Sequence, residues 1–280
     1  MRNLPSPRYL PLLLGAALCG PALLCPSAAR AAQAAEHKAQ KAADGKAAEP
    51  RVDPDARRAA AAILGQMLRD NASFVHSHPK NYFDPFANGQ HPRAIVVGCA
   101  DSRFHLHAID ATPDGDVFEI RNIGNQVSSV AGSVQYGVHH LKAPLLMVVG
   151  HVGCGAVKAA MGDYGSESLA IRHELDGLHL SLRGGSKKGG FDQQWLDNVQ
   201  RNVHQQVATA MQEYREEVQS GQLYVVGAVY DFRDELHEGR GKLHIINVNG
   251  EASPARVREV ALMQEAFRAN SAPSRSVARR

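Results

Sequence analysis

Two short segments of the chain hold residue types that bind metal and move protons. One is Gly98-Cys99-Ala100-Asp101-Ser102-Arg103 and the other is Gly150-His151-Val152-Gly153-Cys154-Gly155. Thiolates together with imidazole favour zinc over magnesium or calcium. His151 and Cys154 lie three residues apart and can aim at one ion from a single turn, with Cys99 approaching from the other segment. Three protein ligands leave a position open for water or substrate, whereas structural zinc sites usually close with four. Asp101 and Arg103 follow Cys99 closely enough to share its turn, where the guanidinium would keep the carboxylate ionised and oriented. Such a carboxylate could accept a hydrogen bond from water on the metal. Two plainer readings compete: a Cys99–Cys154 disulfide, and an ordinary loop ion pair between Asp101 and Arg103. The disulfide would leave His151, Asp101 and Arg103 without a role, so the zinc reading is preferred.

Both segments follow short apolar, β-branched runs, at residues 94–97 and 145–149, and similar runs occur at 117–120, 223–226 and 244–248. Runs of this kind suit strands buried on both faces. Helical patterns lie between them at 133–141, 155–161 and 195–220. The alternation predicts an α/β fold with a mainly parallel β-sheet core flanked by helices. Ligands of such sheets gather at the carboxyl ends of the strands, which is where both segments would sit. The polar, Gly-rich stretch 165–191 reads as holding a surface loop, and Trp195 as a packing anchor. Asp53-Pro54-Asp55 reads as an N-cap with Pro at the first helical position, opening a helix across 57–71.

The chain has 280 residues, with 31 Lys+Arg against 28 Asp+Glu. Residues 1–31 hold Arg2, Arg8 and Arg30 and no acid, so the remainder is neutral, with 28 bases against 28 acids. A basic nucleic-acid surface is not indicated. Arg2 and Arg8 precede an apolar run over 10–24, followed by Ala29-Arg30-Ala31. This is the form of a signal peptide, residues 1–31, with cleavage near Ala31 and a periplasmic or secreted product. The run is too short and too interrupted by Gly and Pro for a comfortable membrane span, so no stable membrane insertion is expected once the leader is gone. Cys19 and Cys25 leave with it, and only Cys99 and Cys154 remain. Residues 32–52, rich in Ala, Lys, Glu and Gln, read as a flexible tether. Residues 53–270 read as one catalytic domain and 271–280 as a disordered tail.

Taken together these motifs resemble the β-class carbonic anhydrases. The pattern runs from Gly89-Gln90 through Cys99-Ala-Asp-Ser-Arg103, Arg121-Asn-Ile-Gly-Asn125, the 132–141 stretch and Gly150-His-Val-Gly-Cys-Gly-Ala156, then more loosely through Asn202-Val203 and 227–231. It covers most of residues 60–250. The resemblance implies a lyase that hydrates carbon dioxide reversibly to bicarbonate and a proton by attack of zinc-bound hydroxide. It places one Zn2+ per chain on Cys99, His151 and Cys154, makes Asp101 and Arg103 a catalytic dyad, and implies a homodimer or larger even-numbered homo-oligomer. Substrate-pocket positions of the family fall on Gln90, Phe118 and Tyr136, partly across a subunit boundary. Phe118, Ile123 and Tyr136 could form an apolar berth for carbon dioxide, and Gln90 and the Gly155 amide could hold a bicarbonate oxygen. His105 and His107 are weaker candidates for relaying protons. Two other readings stay open: a related hydrolase of carbonyl sulfide or carbon disulfide, and a non-catalytic zinc-binding bicarbonate sensor. The sequence departs from the family pattern at Phe104-His-Leu-His-Ala108, beside the site. It departs again at 234–241, which is longer and more charged than usual and is expected to affect surface or assembly only.

Overall fold

Strand ends position the chemistry. The computed structural model describes residues 53–185 and 188–271; the expected leader, the tether and the tail beyond Ser271 lie outside them. The chain divides into two units, Met1–Pro79 and Lys80–Arg280. The described part of the first is helix α1 (Pro54–Ser77), which starts where the cap predicts. Asp53 Oδ1 accepts the N–H groups of Asp55 at 2.9 Å and Ala56 at 3.3 Å, and Pro54 opens the first turn.

The second unit is built on five strands: β1 (Ala94–Cys99), β2 (Val117–Asn122), β3 (Leu145–His151), β4 (Tyr224–Asp231) and β5 (Lys242–Val248). Their order is β2-β1-β3-β4-β5. The first four are parallel, and β5 pairs antiparallel to β4 past an irregularity at Gly227/Ala228. Alternate residues feed opposite faces. Ile95, Val97, Leu146, Val148 and Val225 pack with Val134, Val138, Val207, Ala210 and Tyr214 on one side. Val96, Val149 and Tyr230 meet Phe104 and Leu106 on the other. Each buried aliphatic side chain stabilises by about 1.5–3 kcal/mol relative to exposure. This two-sided burial explains why the strands appear in sequence as continuous apolar runs. Strands β1 and β3 extend two residues beyond those runs, so Cys99 and His151 become their last residues.

The helices are α2 (Ala131–Gln135), which continues as one wider π turn over Tyr136–His140, α3 (Gly155–Ala160), α4 (Leu169–Leu182), α5 (Phe191–Glu213), α6 (Arg215–Gln219), α7 (Pro254–Val257) and α8 (Ala261–Ser271). The stretch 165–191 also holds helix α4, which its polar, Gly-rich composition does not announce. Ser168 caps it through Ile171 N–H, and Leu175 and Leu178 are buried with Leu182 packed beside them. Ile171, Leu175, Leu178 and Leu182 keep helical spacing, but the Gly-rich run at 184–190 dominates the composition of the stretch. None of the helices among the described residues is long and apolar enough to cross a membrane.

The predicted 195–220 helix begins earlier and breaks at Tyr214, whose ring is 1% exposed. Among the described residues its hydroxyl has no hydrogen-bond partner. Burial, then the carboxylates of Glu213 and Glu217, push the phenol up to about 12. Tyr214→Phe is therefore expected to keep stability or raise it by up to about 1 kcal/mol, because an unpaired buried hydroxyl is removed. The sign with pH follows from linkage. A raised folded pKa contributes stability that is complete below the ordinary tyrosine value of about 10 and is lost as pH climbs toward the folded one. The variant should thus lose stability less steeply than the wild type above pH 10. Thermal unfolding at neutral and alkaline pH checks both points, and a loss of stability at neutral pH would contradict them.

Candidate metal centre

Strands β1 and β3 are neighbours, with Gly98 opposite Val149, so Cys99 and His151 end side by side. The chain then turns through Gly153, whose φ of +65° lies in the left-handed region that favours glycine. That turn returns Cys154 to the same point, as the residue capping α3. The ligand atoms of Cys99, His151 and Cys154 all lie within 4.8 Å of one another, and all three residues are buried. The two sulfurs are 3.9 Å apart and both cysteines are free, well beyond the bonded distance of about 2.05 Å. The disulfide alternative is not what the fold forms.

His151 Nδ1 lies 3.0 Å from the Val152 carbonyl. A carbonyl only accepts, so Nδ1 carries the proton and Nε2 presents its lone pair. Nε2 is buried with no partner among the described residues. Buried polar atoms are rarely left in that state. An unpartnered imidazole nitrogen facing two thiols is the donor set of a zinc site, with the other ring nitrogen fixed by a backbone acceptor. The thiols lean on each other: hydrogen bonding with Cys154 pulls the Cys99 thiol down, and the same contact with burial pushes Cys154 up. Metal ligation requires both as thiolates, so a bound cation would release protons. The Gly124 N–H donates to Cys99 Sγ at 3.5 Å, and buried Asn202 steadies that loop by donating to the Gly124 carbonyl at 2.9 Å.

Asp101 and Arg103 form the expected dyad. Arg103 Nε–H donates to Oδ1 at 2.8 Å and Nη2–H to Oδ2 at 2.6 Å, a bidentate pair, while the Arg103 backbone N–H adds a third bond at 3.0 Å. These bonds to Arg103 hold the carboxyl well below the usual carboxylate range. Oδ2 lies 3.8 Å from His151 Nε2, so the carboxylate faces the cluster. Arg103 Nη2 also donates to the Gly153 carbonyl at 3.0 Å and ties the two segments together.

Three supporting residues were not assigned to the site from sequence. Arg121 staples the first segment, its guanidinium donating to the carbonyls of Cys99 (2.9 Å), Asp101 (2.7 Å) and Phe104 (2.8 Å). Its position opposite Gly98 in the β1–β2 register gives it that reach. Trp195 packs as expected, and its Nε1–H also donates to the Cys154 carbonyl at 2.9 Å. Phe232 stacks on the His151 ring and lies under the Arg103 guanidinium. The 234–241 segment is likewise more than surface, because Leu236 packs against the cluster containing Cys99 and Cys154.

The substrate-pocket candidates divide. Gly155 opens α3 beside Cys154, and Ile123 follows the last residue of β2 next to Gly124. Both belong to the ligand end. The Phe118 and Tyr136 rings pair with each other at 5.9 Å. Phe118 sits opposite Ile95, four residues before Asn122 and therefore about 13 Å down the strand at about 3.3 Å per residue. Gln90 precedes β1 at the other end of the sheet, lining a surface cavity with Phe86, Arg93, Thr112 and Asp114. Within one chain, then, Gln90, Phe118 and Tyr136 are not brought to the ligands. His105 and His107 are exposed, their ring centres 6.4 Å apart.

Comparison with known proteins agrees with this geometry. Residues 94–239 match the family model described as carbonic anhydrase. Carbonic anhydrase 2 of Mycobacterium tuberculosis is 35% identical over 190 residues, covering 62% of this chain and 87% of that protein. The carbonic anhydrase of Mycolicibacterium smegmatis is 32% identical over 192 residues, covering 63% of this chain and 91% of its own. Among solved structures, a tetrameric β-carbonic anhydrase of Sordaria macrospora aligns with a TM-score of 0.59 and 25% identity, over 66% of this chain and 97% of that one. The Coccomyxa β-carbonic anhydrase in complex with acetazolamide aligns with a TM-score of 0.57 and 26% identity, over 75% of this chain and 97% of that one.

Proposed function

The chain belongs to the carbonic anhydrase family as a β-class enzyme, and on that premise we propose that it hydrates carbon dioxide reversibly to bicarbonate and a proton. One zinc ion per chain would be held by Cys99, His151 and Cys154. The observation that carries this reading is the unpartnered Nε2 of His151, buried among two thiols, with an ionised carboxylate aimed at it from 3.8 Å. When bound, zinc supplies Lewis acidity that makes water nucleophilic near neutral pH. The chain's own residues do the rest. Asp101 Oδ2 accepts a hydrogen bond from the attacking water and so fixes the direction of its lone pair. Arg103 keeps that acceptor ionised and prevents it from rotating. Ile123 would offer an apolar wall, which suits a substrate with no charge, and the Gly155 N–H would hold a bicarbonate oxygen. His105 and His107 sit on the exposed face of the adjoining segment, where they could pass protons to buffer.

Gln90, Phe118 and Tyr136 complete the pocket, in this reading, from a second copy of the chain. Their separation from the ligands within one chain supports a homodimer or a larger even-numbered assembly. A sensor that only bound zinc would need neither Asp101 nor Arg103, whereas both are held here by three hydrogen bonds. Parallel assays with carbon dioxide, carbonyl sulfide and carbon disulfide separate hydration from the related hydrolase activity, and carbon dioxide is expected to be the preferred substrate.

The leader adds export to the proposal, to the periplasm or outside the cell. N-terminal mass spectrometry on fractionated cells should find a chain beginning near Ala31 in the exported fraction. A full-length cytoplasmic chain would contradict it.

A further inference from the structure

Strand β4 ends at Asp231, a buried carboxylate with an unusual set of partners. Its oxygens accept the backbone N–H groups of Arg233 at 3.0 Å, Asp234 at 2.7 Å and Leu236 at 2.7 Å. Burial would raise this carboxyl, but the backbone donors outweigh burial and hold it below its ordinary value. The Gly241 N–H closes the loop onto the Asp231 carbonyl at 2.6 Å. The chain leaving β4 is therefore fixed, and it lays Phe232 against His151 and Arg103. The Phe232 ring centre is 6.2 Å from that of His151, with the planes 27° apart. The guanidinium carbon of Arg103 lies over the same ring at 5.0 Å. Tyr230, 6.0 Å away, backs the ring from the strand.

Arg103 needs such a support. Its hydrogen bonds to Asp101 and to the Gly153 carbonyl act in the guanidinium plane, and the side chain is 47% exposed. Nothing in that set resists tilting out of plane toward solvent. An aromatic face beneath a planar cation supplies the missing restraint. We propose that Phe232 is a positioning residue for the reaction: its ring holds Arg103 in the orientation that grips Asp101. This rests on reading the site as a hydration centre. Phe232 would touch neither substrate nor metal, and it acts through Arg103.

The test compares zinc-loaded wild type, Phe232→Leu and Phe232→Tyr, each also in an Arg103→Ala background. Leucine keeps apolar bulk without a π face, and tyrosine keeps the ring. Phe232→Leu is expected to lower kcat about three- to tenfold, the range that one cation–π contact supports. KM and zinc content should stay near wild type. Phe232→Tyr should restore most of the loss, and in the Arg103→Ala background Phe232→Leu should cost nothing further. Equal losses for leucine and tyrosine, or the same loss without Arg103, would make Phe232 a space-filler and overturn the proposal. A second readout needs no turnover. The Arg103 Nε–H resonance should exchange slowly with water in wild type and Phe232→Tyr and faster in Phe232→Leu. A wild type that hydrates no carbon dioxide but shows this exchange pattern would refute the activity and leave the positioning role standing. An exchange rate indifferent to residue 232 would refute the role itself.

Discussion

His151→Ala is expected to yield a protein with little zinc and at least about a thousandfold less carbon dioxide hydration, a loss of roughly 4 kcal/mol or more in transition-state stabilisation. The imidazole contributes the one nitrogen ligand of the set, and it is 0% exposed, so bulk water does not take its place cheaply. Two thiols alone, 3.9 Å apart, must each give up a proton before they bind a metal. Without the third ligand they have less reason to surrender it to a metal, and in an oxidising compartment they become free to pair covalently. The substitution also opens a cavity beside Phe232 and costs packing energy. Zinc analysis, thiol counting under denaturing conditions and a melting curve on the same preparation separate these effects. Full zinc occupancy with wild-type turnover in His151→Ala would mean that the cluster is not the centre of the chemistry.

The second large effect concerns the dyad. Asp101→Asn keeps the size of the side chain and removes its charge, so the attacking water loses a fixed acceptor. Arg103→Ala leaves Asp101 charged but free to swing toward the cluster, from which it is only 3.8 Å away. Either change should lower kcat ten- to a thousandfold, about 1.4–4 kcal/mol, a reasonable size for one positioned polar group. Zinc content and melting temperature should stay near wild type, which distinguishes these variants from His151→Ala. The pH dependence has a definite sign. Arg103 depresses the Asp101 carboxyl, so the stabilisation it brings is complete above the ordinary aspartate value of about 3.9 and is lost only as pH falls through the lower folded value. The dyad therefore does not titrate between pH 5 and 9, and a rise of activity with pH in that window does not come from it. Titration of hydration rate in wild type and Arg103→Ala checks this. Full turnover in Asp101→Asn with zinc bound would make the dyad structural.

The ligand end of the sheet was readable because the fold puts it where simple patterns end. Cys99 and His151 each follow an apolar run, and the sheet continues two residues into the chemical segment because both faces are still covered there. Asp101 and Arg103 were readable because their partners are local, two residues apart. What escaped was long-range. Arg121 staples a turn 17 to 22 residues away, a reach created by strand register. Trp195 finds the Cys154 carbonyl across 41 residues, and no spacing rule predicts that contact. Helix α4 escaped although Ile171, Leu175, Leu178 and Leu182 follow helical spacing, because the Gly-rich run after it dominates the composition of the stretch. Gln90, Phe118 and Tyr136 show the opposite limit. Their types suit a substrate pocket, yet the register sets Phe118 far down β2 from the ligands, and residue type alone does not say which copy of the chain a pocket wall comes from.

Stopped-flow measurement of carbon dioxide hydration, with zinc content determined on the same purified, leader-free sample, tests the central claim most directly. About one zinc per chain, catalysed hydration that disappears with a chelator, and recovery on adding zinc back are the expected results. A protein that binds one zinc through two free thiols and one histidine, yet hydrates carbon dioxide no faster than buffer, would contradict it.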